Sequence, residues 1–262
     1  MKTVVVGGSG RIGSKVVDEL QRRGHVVVAA SPSRGFDAMT GAGVDEGLVG
    51  ADVVVDVSNS PSFEAEAVIR FFETSTGNLL AAERRAGTRH HVVLSIVGAD
   101  REPDSSYLRA KVAQERLVAD GGVPYTIVRA TQFFEFLGSI ADSATTDGVV
   151  RLPSAHLQPI AGADVAAAVA DVVEAPPANA IVEVGGPEAI GLDELARRVL
   201  AVAGDPRPVI TDETATYFGA HIGEMSLTPG PGARTGPTRL DDWLILSRAM
   251  GDTARSGGST TT

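Results

Sequence analysis

Residues 3 to 13 read TVVVGGSGRIG: a β-branched run enters Gly8-x-Gly10-x-x-Gly13 and passes into a helical pattern. From Lys15 to Arg23, Val16, Val17 and Leu20 share one apolar face, and after Gly24 a second β-branched run, HVVVAAS, spans His25 to Ser31. Strand, glycine turn, helix and strand in that order predict a βαβ unit. In such a unit Gly8 serves the tight turn, Gly10 lets the backbone approach a pyrophosphate, and Gly13 lets the helix pack closely on the strand. A dinucleotide is therefore expected on the turn Gly7, Gly8, Ser9, Gly10, Arg11, Ile12 and Gly13, at the positive end of the helix dipole.

Working outward, ADVVVDVSNS (51–60), HHVVLSIVG (opening at His90 and His91) and PYTIVRA (124–130) read as further buried strands. Helical spacing over Ser62–Ala86 and Tyr107–Ala119 separates them, whereas Pro32–Gly50 reads as loop with at most a short helix. The alternation predicts an α/β fold, a doubly wound, Rossmann-like parallel sheet with a small C-terminal substrate-side subdomain. We expect a single domain over 1–254, its nucleotide-binding part about 1–130 and its substrate-side segments about 131–254. The Gly/Ser/Thr tail 255–262 is expected to be disordered.

Composition narrows the function. A formal charge of -10 and the lack of a basic run disfavour nucleic acid, and the absence of cysteine excludes disulfides and thiolate chemistry. No apolar run is long enough to span a bilayer and no leader precedes the first strand, so a cytoplasmic protein with no membrane partner is expected. The five histidines show no metal-ligand spacing, and His90-His91 reads as a solvent-edge pair.

Tyr107 and Lys111 stand four apart on a predicted helix, one turn above each other. An ammonium beside a phenol favours the phenolate, so Lys111 is expected to lower the Tyr107 pKa toward a catalytic range. Ser95 falls at the carboxyl end of its strand, where open parallel sheets place their ligands. Asn59 and Thr131 follow two other strands and are expected near the nicotinamide end. After the second strand, Ser31, Ser33 and Arg34 occupy the place where an NAD site would carry an acid, which favours the 2'-phosphate of NADPH. Phe133, Phe134 and Phe136 fit core or substrate lining equally, and Asp56 reads as a strand-end polar group.

These residues together resemble the short-chain dehydrogenase/reductase superfamily, in its atypical, NmrA-like NAD(P)H-binding branch. GGSGRIG, Ser95, the Tyr107-x-x-x-Lys111 pair and PYTIVRATQFFEF (124–136) carry the resemblance, which covers roughly residues 1 to 205. It implies hydride transfer from NADPH to a small uncharged carbonyl, quinone or enone. In that scheme Tyr107 passes the proton, Ser95 hydrogen-bonds the substrate oxygen, Lys111 holds the nicotinamide ribose, and Arg11 points to the same 2'-phosphate region as Arg34. Asn78 is no clear match for the asparagine that completes the proton relay elsewhere in the superfamily. A monomer or homodimer is expected. Two other readings stay open: an NADP(H)-sensing regulator without turnover, and an enzyme that uses the cofactor transiently for epimerisation or elimination.

Overall fold

The computed structural model describes residues 1–256, with side-chain placement to 249. In chain order the elements are β1 (Lys2–Val6), α1 (Arg11–Arg22), β2 (Val26–Ala30), α2 (Val44–Leu48), β3 (Val53–Asp56), α3 (Ala65–Ala86), β4 (His90–Ile96), α4 (Ser106–Asp120) and β5 (Tyr125–Ala130). There follow α5 (Leu137–Ser143), β6 (Thr145–Thr146), β7 (Val149–Leu152), β8 (His156–Leu157), α6 (Gly162–Glu174), β9 (Ala180–Gly185), β10 (Ile190–Gly191), α7 (Leu192–Ala203), β11 (Val209–Thr211), β12 (Arg234–Thr235) and α8 (Leu240–Ser256).

Seven strands form one parallel sheet in the order β12-β9-β5-β4-β3-β1-β2. The chain reverses its winding between β1 and β3, so the crevice for a ligand opens above the carboxyl ends of those two strands. Period-two alternation assigns each strand residue to a layer. Val5, Val55, Val92 and Val128 pack under α1 and α6, while Val4, Val6 and Val54 pack under α2 and α3, and Val93 and Ile127 under α4. The Pro32–Gly50 stretch holds one 3-10 turn, Pro32–Arg34, and the short α2, and β2 is left as the sheet edge.

The segments after β5 have their own core, in which Phe134, Leu137, Leu152, Leu157, Leu195 and Leu240 meet. Sequence periodicity missed α5 and the strands β6, β7, β8, β10, β11 and β12, because two- to four-residue strands carry too little alternation to register. Helix α8 runs through Ser256, two residues into the expected tail; residues 257–262 lie outside the described residues. His90 and His91 are not at a solvent edge: they are 3% and 0% exposed, His91 bonded to Glu83 of α3 and His90 to Thr126. Among the described residues no helix is long and apolar enough to cross a membrane.

The turn after β1 leaves no room for a side chain at Gly8 or Gly13. A Cβ on Gly13 would lie 2.1 Å from the Gly7 carbonyl oxygen, whereas one on Gly77, inside α3, would meet nothing within 4 Å. Urea denaturation is accordingly expected to show Gly13→Ala losing at least about 2 kcal/mol by overpacking. Gly77→Ala is expected to gain roughly 0.5–1 kcal/mol from helix propensity.

Candidate active site

The glycine turn closes through backbone bonds from Gly7 N to Ala30 O (3.0 Å), Gly8 N to Val5 O (3.1 Å) and Gly10 N to Gly7 O (2.9 Å). The left-handed residue is Gly7, at φ 78°, rather than Gly8. Gly8 is glycine for a different reason: its Cβ would press on Val5 O at 2.7 Å and on the Ala29 backbone. Gly10 caps α1 with no side chain, so the first-turn amides face the cleft as an anion seat. Ser9 lines this seat, while the Ile12 side chain belongs to the core and only its backbone is offered. A pyrophosphate fits this seat, whose closed turn requires glycine at Gly8 and Gly13, where a Cβ would strike backbone at 2.7 and 2.1 Å.

Beyond β2, Ser31 is buried and its hydroxyl lies 3.0 Å from that of Ser33. Ser33 and Arg34 are exposed beside the cleft, and among the described residues the Arg34 guanidinium has no hydrogen bond or ion pair. Arg11 does not join them. Its Nη1 donates to Glu135 O (3.1 Å) and its guanidinium lies 5.2 Å from the Phe136 ring, on the β5 side of the turn, opposite β2. Asn78 holds the loop at this end of the cleft, donating to the carbonyls of Ala38 (2.8 Å) and Met39 (3.3 Å). Sequence reasoning missed Asp37, which also lines the cleft; its Oδ1 is engaged by the Met39 amide.

Tyr107, in the first turn of α4, donates its hydroxyl to Asn59 Oδ1 at 2.9 Å, joining two residues predicted for the site. Its ring rests against Phe63 and Phe72. Burial pushes the phenol up to about 12, only partly opposed by the Asn59 contact. The expected lowering by Lys111 is absent, because that ammonium is turned inward. It donates to Leu94 O (2.8 Å) and to Gln114 Oε1, lies 4.4 Å from the Phe72 ring, and is drawn down by burial to about 8.

Ser95 lines the same cleft, with its hydroxyl engaged by α4. It shares the strand face of Val93, beneath α4, and donates to Glu115 Oε1 at 2.5 Å; Glu115 in turn holds Arg129 through two bonds of 2.9 and 2.6 Å. Its hydroxyl proton is therefore committed to a carboxylate. Thr131 lines the cleft but donates to Gln158 O at 2.6 Å. Asp56 is the strand-end group expected of it, accepting from Ser58 and Gln114. Phe134 is core, whereas Phe133 and Phe136 line the cleft.

The cleft measures about 1720 Å³. Eight of the chain's twelve aromatic residues line it. One, Tyr217, comes from the segment between β11 and β12 and was not singled out from the sequence, because nothing local links it to a site 110 residues earlier.

The family model described as NAD(P)H-binding matches residues 7–176. A reductase of Streptomyces griseus acting on (4-alkanoyl-5-oxo-2,5-dihydrofuran-3-yl)methyl phosphate is 32% identical over 223 residues, which cover 78% of this chain and 74% of the relative. The divinyl chlorophyllide a 8-vinyl-reductase of Oryza sativa subsp. indica is 33% identical over 219 residues, 70% of this chain, which spans about half (54%) of that protein. Among solved structures, MoeE5 with UDP-glucuronic acid and NAD superposes with a TM-score of 0.75 at 17% identity, over 96% of this chain and 100% of the other. An NADPH-dependent quinone oxidoreductase of Escherichia coli does so with a TM-score of 0.68 at 19% identity, over 94% and 99%. At such identities the likeness is one of fold.

The geometry makes Tyr107 a neutral hydroxyl donor through the whole physiological range. An ultraviolet difference titration of wild type against Tyr107→Phe is expected to place its ionisation at about 12, above the usual phenol value near 10. A midpoint below the usual value would restore the lysine-assisted phenolate.

Proposed function

The chain belongs to the NAD(P)H-binding family, in the atypical, NmrA-like branch of the short-chain dehydrogenases/reductases, and is an NAD(P)H-dependent oxidoreductase; we propose that it uses NADPH to reduce a small, uncharged, conjugated enone, quinone or carbonyl compound. The observation that carries this reading is a protonated tyrosine hydroxyl, held by Asn59, in an aromatic-walled cleft that continues from the glycine turn. The cleft exceeds the roughly 300–1,000 Å³ of a single small-molecule site, as a cofactor plus a second molecule requires. Aromatic walls favour a flat, apolar partner. The two reductases similar in sequence have names that place their action on an oxo-dihydrofuran and on a vinyl group, which supports an activated double bond or carbonyl as the target.

Bound NADPH supplies the hydride. The remaining work falls to the chain. Tyr107 turns its proton from Asn59 Oδ1 to the substrate oxygen and delivers it as negative charge develops there. Asn59 fixes the phenol's position before the substrate arrives. Lys111, pinned to Leu94 O, anchors the first turns of α4 over the end of β4, a positioning task in place of the acidifying one. Ser95 contributes through Glu115 to the same anchoring.

At the adenosine end, Arg34 and Ser33 favour a 2'-phosphate. Calorimetric titration is expected to show NADPH binding at least several-fold more tightly than NADH, with Arg34→Ala removing most of the difference. Equal wild-type affinities would overturn the choice of cofactor.

For the chemical step, a panel of quinones, enones and ketones assayed by loss of NADPH absorbance is expected to yield a substrate. On it Tyr107→Phe, which keeps the ring, loses roughly two to four orders of magnitude in kcat with NADPH affinity unchanged. A wild type that binds NADPH tightly but turns over nothing on the panel would favour the nucleotide-sensing alternative.

A further inference from the structure

Tyr217 is held with unusual firmness for a loop residue. Its amide donates to Ala220 O (2.8 Å) and Ala220 N returns a bond to its carbonyl (3.1 Å). Phe218 and Gly219 form the two-residue tip, both at positive φ (48° and 83°), the conformation of a type I′ hairpin turn. Phe218, 60% exposed, packs edge-on against the Tyr217 ring at 4.8 Å. The ring is thus clamped between a tight turn and its own neighbour, and it faces the cleft.

One polar atom there is not used by the fold. The Gln132 side chain meets the Tyr217 phenol, and both residues line the cleft. Gln132 Oε1 is buried with no hydrogen-bond partner among the described residues. The unpartnered amide oxygen thus lies beneath the cleft wall beside a phenol that lines it. An orphaned buried acceptor is costly unless something fills it. The Tyr107 phenol lies near enough for its charge to oppose ionisation of Tyr217, so both hydroxyls stay protonated and serve one chamber.

We propose that Tyr217, oriented by Gln132, is a second hydroxyl anchor of the substrate pocket, donating to an oxygen of a conjugated dicarbonyl or quinone whose other polar group is served by Tyr107. The proposal rests on the reductase reading above and narrows its substrates to those with two acceptors. Tyr217 lies outside the residues matched by the family model, 7–176. It contributes binding that is equal in the ground and transition states, with no proton transferred, so its loss raises KM and spares kcat. Gln132 acts through Tyr217 as a positioning residue.

The test compares menadione, with two ring carbonyls, and cyclohexenone, with one, in steady-state assays of the whole chain with NADPH. Tyr217→Phe keeps the ring and its contact with Phe218. It is expected to raise KM for menadione about 5–10-fold, to leave kcat within about twofold, and to leave NADPH affinity, measured separately, at the wild-type value, which also reports an intact fold. Gln132→Leu is expected to reproduce the KM effect, and the double variant to add little to either, as coupled partners do. Wild-type KM for menadione in both single variants, or equal effects on the one-carbonyl compound, overturns the anchor while leaving the reductase reading standing. A wild type that reduces neither compound nor any other member of the panel overturns both, and that failure is read in the wild type alone.

Discussion

The buried pair of Glu115 and Arg129 sets the position of everything above it. Arg129 stands one residue before the end of β5 and Glu115 in the middle of α4, 6% and 5% exposed, joined by two short bonds. Ser95 of β4 donates to the same carboxylate, and Asp100 takes the outer edge of the guanidinium at 2.9 Å. Burying these charges is expensive, and an apolar replacement of the same shape is often no less stable. What the pair adds is register. A turn of α4 by one residue would swing Glu115 off both Arg129 and Ser95, leaving charges stranded, so only one rotation of the helix is tolerated. Tyr107 is eight residues earlier on that helix, and its place in the cleft follows from that rotation.

The same constraint explains the chemistry of the phenol. With α4 fixed, Lys111 falls over Leu94 O and the Phe72 face, where Gln114 and Asp56 complete its surroundings. Spacing of i and i+4 puts two side chains on one helix face, but the ammonium is at the end of a flexible stem and goes where acceptors are. Desolvation is therefore the larger influence on both groups, pushing Tyr107 up to about 12 and Lys111 down to about 8. A phenol in that state is a donor and not a base, which suits reduction, where a proton must be given.

Much of this was legible in the residues. The glycine turn, the buried strands, the two long helices and the weak Pro32–Gly50 segment followed from periodicity and turn chemistry, as did the Asn59 and Tyr107 positions. Ser95 reaches the cleft wall, as the end of a parallel strand implies, but alternate residues face opposite layers, and its hydroxyl shares the layer of Val93 under α4. His90-His91 failed because a polar pair at a strand start was read as wet, when Glu83 and Thr126, from α3 and β5, satisfy it inside. Arg11 failed because a long side chain leaving a turn can lie to either side, and a carbonyl and an aromatic face were available only toward Glu135 and Phe136.

What the sequence conceals is distributed differently from what it displays. The nucleotide half is written in contiguous residues, because backbone close approach demands glycine at fixed spacing and a Cβ at Gly8 or Gly13 collides with a carbonyl a few residues away. Its partner half is assembled from Asn59 after β3, Tyr107 on α4, Gln132 after β5 and Tyr217 on a hairpin beyond β11, each supplied by a different crossover. Such residues need only arrive at one point in space, so no local pattern ties them together. Selection acting on the first half is bound by sterics, whereas the second can exchange one hairpin for another without disturbing the sheet. Similar cofactor chemistry across relatives is therefore compatible with unlike residues in the rest of the cleft.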